Sequence, residues 1–349
     1  MGSVLWGRMI VAVVSAGQRG VVSTRPRGAD GRSGASLPVF IEREVFFGSG
    51  GLRFAGTLTF PASPVGAPWP AVLLLAGSGP VDRNENWGLL RVDAPPQFAH
   101  ALAAAGIATL RYDKRGVGKS EGGDWRSAGF FDAVDDAAGA RAFLAGRPEI
   151  DETRVAAIGH SEGALTAIAL AAQSEPLAAI VLLAGSAMPG TEVGHYQLRR
   201  MIATLPAPVR SLLGHLRIDL DRRLDASHAR VSAGTGDIAR IGLRRVNARW
   251  QREFLAYDPA VDLGRCRLPI LAVTGGKDLQ IDPDQLEAIS AAAGGLVTIS
   301  RPPNLTHTLR CQPGRPTLLA YRKELRRPVD PALIAEVVAW TTHALDNAR

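Results

Sequence analysis

Short apolar runs alternate with longer stretches of helical periodicity along most of this chain. Short apolar runs are typical of strands buried on both faces of a parallel sheet, and they occur at 71–76, 154–158, 178–183 and 269–274, with a further predicted strand at 107–112. Helical patterns lie between and after them, at 95–105, 131–144, 164–172, 283–293 and 331–345. Strands and helices that alternate at this spacing predict βαβ units and a mainly parallel sheet.

The pattern changes at both ends of the predicted sheet and in one long segment. Residues 40–47 and 52–60 are strand-like and are joined by Gly48-Ser49-Gly50-Gly51, which predicts a hairpin, and 296–299 is a last strand. Residues 188–262 are rich in arginine, with mixed helical periodicity and no strong strand. We interpret this segment as a helical cap over the ligand crevice, inserted into a core formed by 39–187 and 263–349.

The first 38 residues follow neither pattern. A short apolar patch at 9–14 precedes a stretch rich in Gly, Arg and Ser, which predicts a flexible tail or a weak signal peptide. We therefore expect a cytoplasmic location, or secretion if residues 1–16 act as a signal. No apolar run is long enough to span a bilayer, so no integral membrane segment is predicted.

Composition excludes several classes of function. The formal charge of +7 comes mostly from scattered arginines, with no basic block interleaved with aromatic residues, so nucleic-acid binding is not expected. Cys266 and Cys311 form no C-x-x-C pair, and no cluster has metal-ligand spacing, so neither a metal nor a cofactor is predicted. The Gly-rich loop 113–120 lacks the spacing of a phosphate-binding loop, and we expect a structural role, with Asp113 and Arg115 bonded to nearby backbone and to each other.

The pentapeptide Gly159-His160-Ser161-Glu162-Gly163 carries the candidate chemistry. It follows a predicted strand and precedes a predicted helix, which is the context of a nucleophile elbow. A sharp turn there exposes the serine hydroxyl, and glycines on either side let strand and helix cross closely. Ser161 is therefore the predicted nucleophile.

A serine nucleophile needs a base and an acid that orients the base. In this arrangement the chain order is Ser, then Asp or Glu, then His. Asp278 follows a predicted strand and His307 follows the next one, so they are the predicted acid and base. Asp282 and Asp284 are the competing acids, but both suit the start of the following helix.

Six other histidines compete for the role of the base. They lie in predicted helices, in the predicted cap or beside the nucleophile: His100, His160, His195, His215, His228 and His343. The elbow is expected to point the side chain of His160 away from Ser161. His307 alone combines the chain order with the loop position.

Negative charge that develops on the substrate carbonyl oxygen needs two preorganised N–H donors. The first is predicted to be the backbone N–H of Glu162. The second should come from the loop after the strand 71–76, where Ser78 is favoured and Gly79 is the alternative.

Several motifs together resemble an α/β-hydrolase, and more narrowly the bacterial carboxylesterases of the serine-aminopeptidase-like group. They are LLLAGSGPVDRN at 73–84, RYDKRGVGKS at 111–120, GHSEG at 159–163, GGKD at 275–278 and the loop at His307. The resemblance implies an eight-stranded sheet flanked by helices, with a cap. It also implies hydrolysis of small acyl esters through an acyl-enzyme, with Ser161, Asp278 and His307 as the triad.

Other activities remain open on the same motifs. An aminopeptidase, a thioesterase or an acyltransferase would use the same triad, and a non-catalytic ligand-binding protein is the alternative from another class. A peptidase would need acidic residues in the cap to bind the substrate amine, and four are available: Glu192, Asp219, Asp221 and Asp225. The expected partner is a small-molecule acyl ester.

Overall fold

Eight strands form one sheet in the computed structural model, which describes residues 40–63, 67–173, 177–205, 207–215, 219–241 and 244–348. In chain order they are β1 (Phe40–Ser49), β2 (Leu52–Pro61), β3 (Trp69–Leu75), β6 (Ala108–Tyr112), β7 (Ile150–His160), β8 (Ile180–Leu183), β11 (Ile270–Val273) and β12 (Val297–Ser300). Their order across the sheet is β1-β2-β6-β3-β7-β8-β11-β12. β2 pairs antiparallel with β1 and β6, and every other pair is parallel.

Helices cover both faces of this sheet. In chain order they are α1 (Ala94–Ala104), α2 (Phe130–Ala145), α3 (Glu162–Ala171), α4 (Gly190–Thr204), α5 (Ala207–His215), α6 (Leu220–Ser232), α7 (Ala248–Ala256), α8 (Pro259–Leu263), α9 (Gln285–Ala292), α10 (Tyr321–Glu324) and α11 (Pro331–Asp346). Two short ribbons complete the fold: β4 (Asn86–Trp87) with β5 (Leu90–Arg91), and β9 (Ile238–Ile241) with β10 (Arg244–Asn247). None of the described helices has the length and hydropathy that crossing a membrane requires.

The core forms two layers because successive strand side chains point to opposite faces. On β7, Ala157 belongs to the cluster that packs under α2 and α3, whereas Ala156 belongs to the cluster under α1 and α11. Strands buried on both faces favour apolar residues at most positions, which explains the apolar runs in the sequence. The central strands therefore hold the loops at their carboxyl ends rigidly in place.

The eight-stranded α/β sheet predicted from the sequence is confirmed. Two details were wrong. The segment 188–262 contains the ribbon β9–β10 as well as helices, and the helix expected from Pro283 begins at Gln285. The Asp282 side chain accepts a bond from the Asp284 N–H at 3.2 Å, so this carboxylate closes a turn before the helix starts. The predictions for 1–38 lie outside the described residues.

Candidate active site

Ser161 occupies a sharp turn between β7 and α3. Its φ is +56° and its ψ is −115°, a combination that costs a non-glycine residue energy. The Ser161 N–H donates to the Leu183 carbonyl at 2.9 Å, which ties the turn to the neighbouring strand. The residue lines two adjoining cavities, so the strained backbone presents the side chain to open space.

The turn depends on two glycines. A Cβ on Gly159 would lie 2.0 Å from the Gly163 carbonyl oxygen, and one on Gly163 would lie 2.1 Å from the Leu75 carbonyl oxygen. Both contacts are with backbone atoms, which have no rotamer to change. Packing of the turn therefore requires glycine at both positions of the pentapeptide.

Gly163→Ala is expected to lower the free energy of unfolding, because the new methyl group must displace the backbone of β3. We expect a loss at the upper end of the range for overpacking, about 1–3 kcal/mol or more. Urea denaturation measures this loss. Gly48→Ala is the control, since a Cβ there has nothing within 4 Å. Equal stability of the two variants would contradict the packing requirement.

Asp278 and His307 form a buried hydrogen-bonded pair at the carboxyl end of the sheet. His307 Nδ1 lies 2.9 Å from Asp278 Oδ2. Asp278 Oδ1 accepts from the N–H groups of Gln280 at 2.7 Å and Ile281 at 2.9 Å, which fixes the carboxylate plane. A carboxylate on Nδ1 favours the tautomer with the proton there, so Nε2 keeps its lone pair. His307 lines the larger cavity together with Ser161.

The competing acids and histidines have other partners. Asp284 is paired with Arg301 at 3.0 Å. His100 contacts Glu42 at 2.9 Å, and His195 contacts Asp221 at 2.9 Å and Asp225 at 2.8 Å. The structure thus brings together Ser161, Asp278 and His307 at one edge of the sheet.

The loop after β3 is held by two side chains that the sequence analysis did not assign. The Gly77 N–H donates to Glu85 Oε1 at 2.7 Å, and Lys114 Nζ donates to the Gly77 carbonyl at 2.5 Å. A planar trans peptide directs the next N–H, that of Ser78, opposite to this carbonyl. Lys114 therefore sets the direction of the Ser78 N–H, and Ser78 lines the larger cavity.

Glu162 supplies the other predicted donor. It is the first residue of α3, so its N–H has no acceptor in a preceding helical turn. Its side chain is held by Lys114 at 2.8 Å, and the residue lines the cavity beside Ser161. Lys114 follows β6 at the carboxyl edge of the sheet, and this location is the sequence signal that could have identified it.

The His160 side chain links two parts of the site. Its Nδ1 lies 2.7 Å from Glu85 Oε1, and its Nε2 donates to the His307 carbonyl at 3.0 Å. Burial would lower the pKa of His160, but the charge of Glu85 and its hydrogen bond outweigh this and raise it. Burial would raise the pKa of Glu85, but His160 and the Gly77 N–H lower it. The pair therefore carries both charges and joins the Gly77 loop to the His307 loop.

The stability given by this pair is expected to depend on pH. The contribution of Glu85 is lost as pH falls below its ordinary pKa of 4.5, and that of His160 is lost as pH rises from 6.5 through its raised pKa. Glu85→Gln should therefore lower the free energy of unfolding most at about pH 5.5, by on the order of 3–5 kcal/mol, and by less at about pH 9. Urea denaturation of both proteins at the two pH values measures this. The exposed Glu287→Gln is the control, and a pH-independent cost would contradict the charged pair.

The Gly-rich loop 113–120 has one of its two expected features. Asp113 Oδ2 accepts from the nearby Lys119 N–H at 3.0 Å, as predicted, but the predicted side-chain pair is replaced by other partners. Arg83 contacts Asp113 at 2.8 Å, and Arg115 contacts Asp136 at 2.6 Å, so Asp113 and Arg115 do not bond to each other. Both partners are distant in the sequence, which is why local reasoning missed them. Among the described side chains, no group of three or more His, Cys, Asp or Glu is placed to bind a metal ion.

Solved structures with a similar fold include an α/β-hydrolase of Penicillium and an esterase of Pyrococcus furiosus. The structure of DcsB in complex with its substrate analogue has a TM-score of 0.58 at 15% identity, covering 88% of this chain and 100% of that one. Est1E from Butyrivibrio proteoclasticus, with ferulic acid bound, has a TM-score of 0.57 at 15% identity, covering 86% of this chain and 99% of that one. At such identities the likeness establishes the fold class, an α/β-hydrolase.

Sequence comparison gives the family. The family model described as "Serine aminopeptidase, S33" matches residues 93–312, more than half of the chain, so the chain belongs to this hydrolase family. It is 27% identical to "Esterase EstD" of Thermotoga maritima over 290 residues, 82% of this chain. It is 29% identical to an uncharacterized protein of Mycobacterium tuberculosis over 177 residues, 47% of this chain. The chain spans 64% and 57% of the length of these two relatives.

Proposed function

We propose that this hydrolase is a serine esterase that cleaves carboxylic esters through an acyl-enzyme. One observation carries the proposal: the buried Asp278–His307 pair lies at the cavity into which the strained turn presents Ser161. Nucleophile, base and acid then have the order and the environment that acyl transfer needs. The esterase among the relatives supports the same reaction class.

The reaction proceeds in two steps, acylation of Ser161 and hydrolysis of the acyl-enzyme. Ser161 Oγ attacks the ester carbonyl carbon while its proton passes to His307 Nε2, and the N–H groups of Ser78 and Glu162 stabilise the oxyanion. Collapse breaks the bond to the alkoxy oxygen, which takes the proton from Nε2 and leaves as the alcohol. Water then loses a proton to His307, attacks the acyl-enzyme and releases the carboxylic acid, and Ser161 recovers its proton.

The carboxylates near the site favour an ester over a peptide substrate. A substrate amine needs an unpaired acid, but Asp221 and Asp225 both bond to His195, and Asp219 caps α6 through the Arg222 N–H at 2.9 Å. Three carboxylates line the larger cavity, and each contacts a basic partner: Glu85 with His160, Asp136 with Arg115, and Glu162 with Lys114. Glu192, the fourth candidate acid, lines neither cavity. Each carboxylate in the cavity lining thus already has a basic partner, which favours an ester substrate over one with a free amine.

Parallel assays separate the two activities. We expect purified protein to hydrolyse p-nitrophenyl acetate and butyrate, with kcat/KM for these esters far above that for alanine and leucine p-nitroanilides. Faster anilide hydrolysis would make the protein an aminopeptidase. No turnover of any ester, amide or thioester would favour the non-catalytic alternative.

A further inference from the structure

Two cavities of different size meet at Ser161. The larger has a volume of about 320 Å³ and the smaller about 60 Å³. Both are lined by Ser78, Ser161 and Glu162, the residues of the proposed nucleophile and oxyanion hole. An ester bound there has its carbonyl at this junction, so its acyl and alcohol parts must enter different cavities.

The position of His307 decides which part enters which cavity. His307 and Thr308 line the larger cavity, and neither lines the smaller one. The leaving alkoxy oxygen must take its proton from the base. The alcohol therefore begins beside His307 and extends into the larger cavity, and the acyl chain extends into the smaller one.

The smaller cavity is short because two helices of the segment 188–262 pack tightly around it. A Cβ on Gly190 of α4 would lie 2.4 Å from the Phe254 carbonyl oxygen of α7, so the two helices are in backbone contact. The buried side chains of Val193, Ile281 and Ala184 pack together in the wall. The cavity's volume of about 60 Å³, against about 320 Å³ for the larger cavity, leaves room for only a short acyl chain.

The larger cavity suits a bulky and aromatic group. Its walls include the rings of Trp87, Tyr112 and Trp125 together with Leu90. Its volume falls within the range of about 300–1,000 Å³ typical of sites that enclose a whole small-molecule ligand. Each cationic side chain in its wall is paired with a carboxylate, so the wall offers rings more than free charge. The pairs are Lys114 with Glu162, Arg115 with Asp136, and Arg126 and Arg245 with Asp124.

We propose that the protein is selective for esters that join a short acyl group to a bulky aromatic alcohol. This inference rests on the proposed esterase function. It assigns the selectivity for acyl length to the contact between α4 and α7, and the selectivity for the alcohol to the ring-lined cavity.

Two ester series test the assignment through kcat/KM. With 2-naphthol as the constant alcohol, we expect kcat/KM to fall at least about tenfold from butyrate to octanoate, since added methylenes do not fit. With acetate as the constant acyl group, 2-naphthyl acetate should exceed phenyl acetate several-fold. An octanoate as good as the butyrate, or phenyl acetate better than naphthyl acetate, would overturn the inference. Absence of all ester hydrolysis would instead overturn the proposed function.

A matched pair of variants tests which cavity determines the selectivity for the acyl group and which determines the selectivity for the alcohol. Leu255 lines the smaller cavity and Leu90 the larger one, so Leu255→Ala and Leu90→Ala make the same chemical change on opposite sides of Ser161. Leu255→Ala should raise the ratio of octanoate to acetate hydrolysis by on the order of tenfold. Leu90→Ala should leave that ratio unchanged and alter the ratio of naphthyl to phenyl acetate. The reverse pattern would place the acyl chain in the larger cavity and refute the assignment.

Discussion

Ser161→Ala is expected to lower kcat for p-nitrophenyl butyrate by about a million-fold, the loss typical of removing a serine nucleophile. Without the hydroxyl no acyl-enzyme forms, and the residual rate comes from water attacking an ester held at the oxyanion hole. The Ser161 N–H bond to Leu183 is a backbone contact, so the variant keeps it. Initial rates at saturating ester, with the thermal melting temperature measured in parallel, check the prediction.

Ser290→Ala is the control for this substitution. Ser290 is exposed on α9, so the same loss of a hydroxyl there should leave kcat close to that of the wild type. If the Ser161 variant folds normally and retains a substantial share of wild-type turnover, the proposed nucleophile is wrong.

Asp278→Asn is expected to lower kcat by about ten-thousand-fold, with little loss of structure. The asparagine oxygen can still accept from the N–H groups of Gln280 and Ile281, so the loop should keep its shape. Its amide group, however, would donate to His307 Nδ1 and hold the proton on Nε2. A protonated Nε2 cannot take the proton of the Ser161 hydroxyl, so acylation fails at its first step.

Asp282→Asn is the matched control, because it makes the same change four residues later in the same loop. The Asp282 side chain only closes the turn before α9, so its variant should keep near-normal kcat. Steady-state kinetics of both variants decide between the two acids. A larger loss for Asp282→Asn than for Asp278→Asn would contradict the proposed acid.

The strand and helix around Ser161 were predictable because each signal there is local. An apolar run, a pentapeptide with two glycines and a second apolar run specify strand, turn and helix within a short stretch. The positions of Asp278 and His307 followed from the rule that loops meet at the carboxyl edge of a parallel sheet. Their hydrogen bond needed only that both loops turn towards the same edge.

The features that the sequence did not reveal depend on contacts between distant residues. Glu85 lies 75 residues before His160, and Lys114 lies 37 residues after Gly77, so no local pattern joins either pair. Within 188–262, β9 and β10 are short strands rich in arginine, and they carry no apolar run that would indicate a strand. The size of the smaller cavity depends on one close approach, between Gly190 and Phe254, which only the structure shows.

Covalent labelling tests the central claim, that Ser161 is the nucleophile, most directly and without knowledge of the substrate. The protein would be treated with a fluorophosphonate probe, and the modified residue identified by intact mass and peptide mapping. We predict one phosphonyl group per chain, attached to Ser161. The Asp278→Asn variant should be labelled much more slowly than the wild type. If the probe labels another residue, or does not label active wild-type protein at all, Ser161 is not the nucleophile.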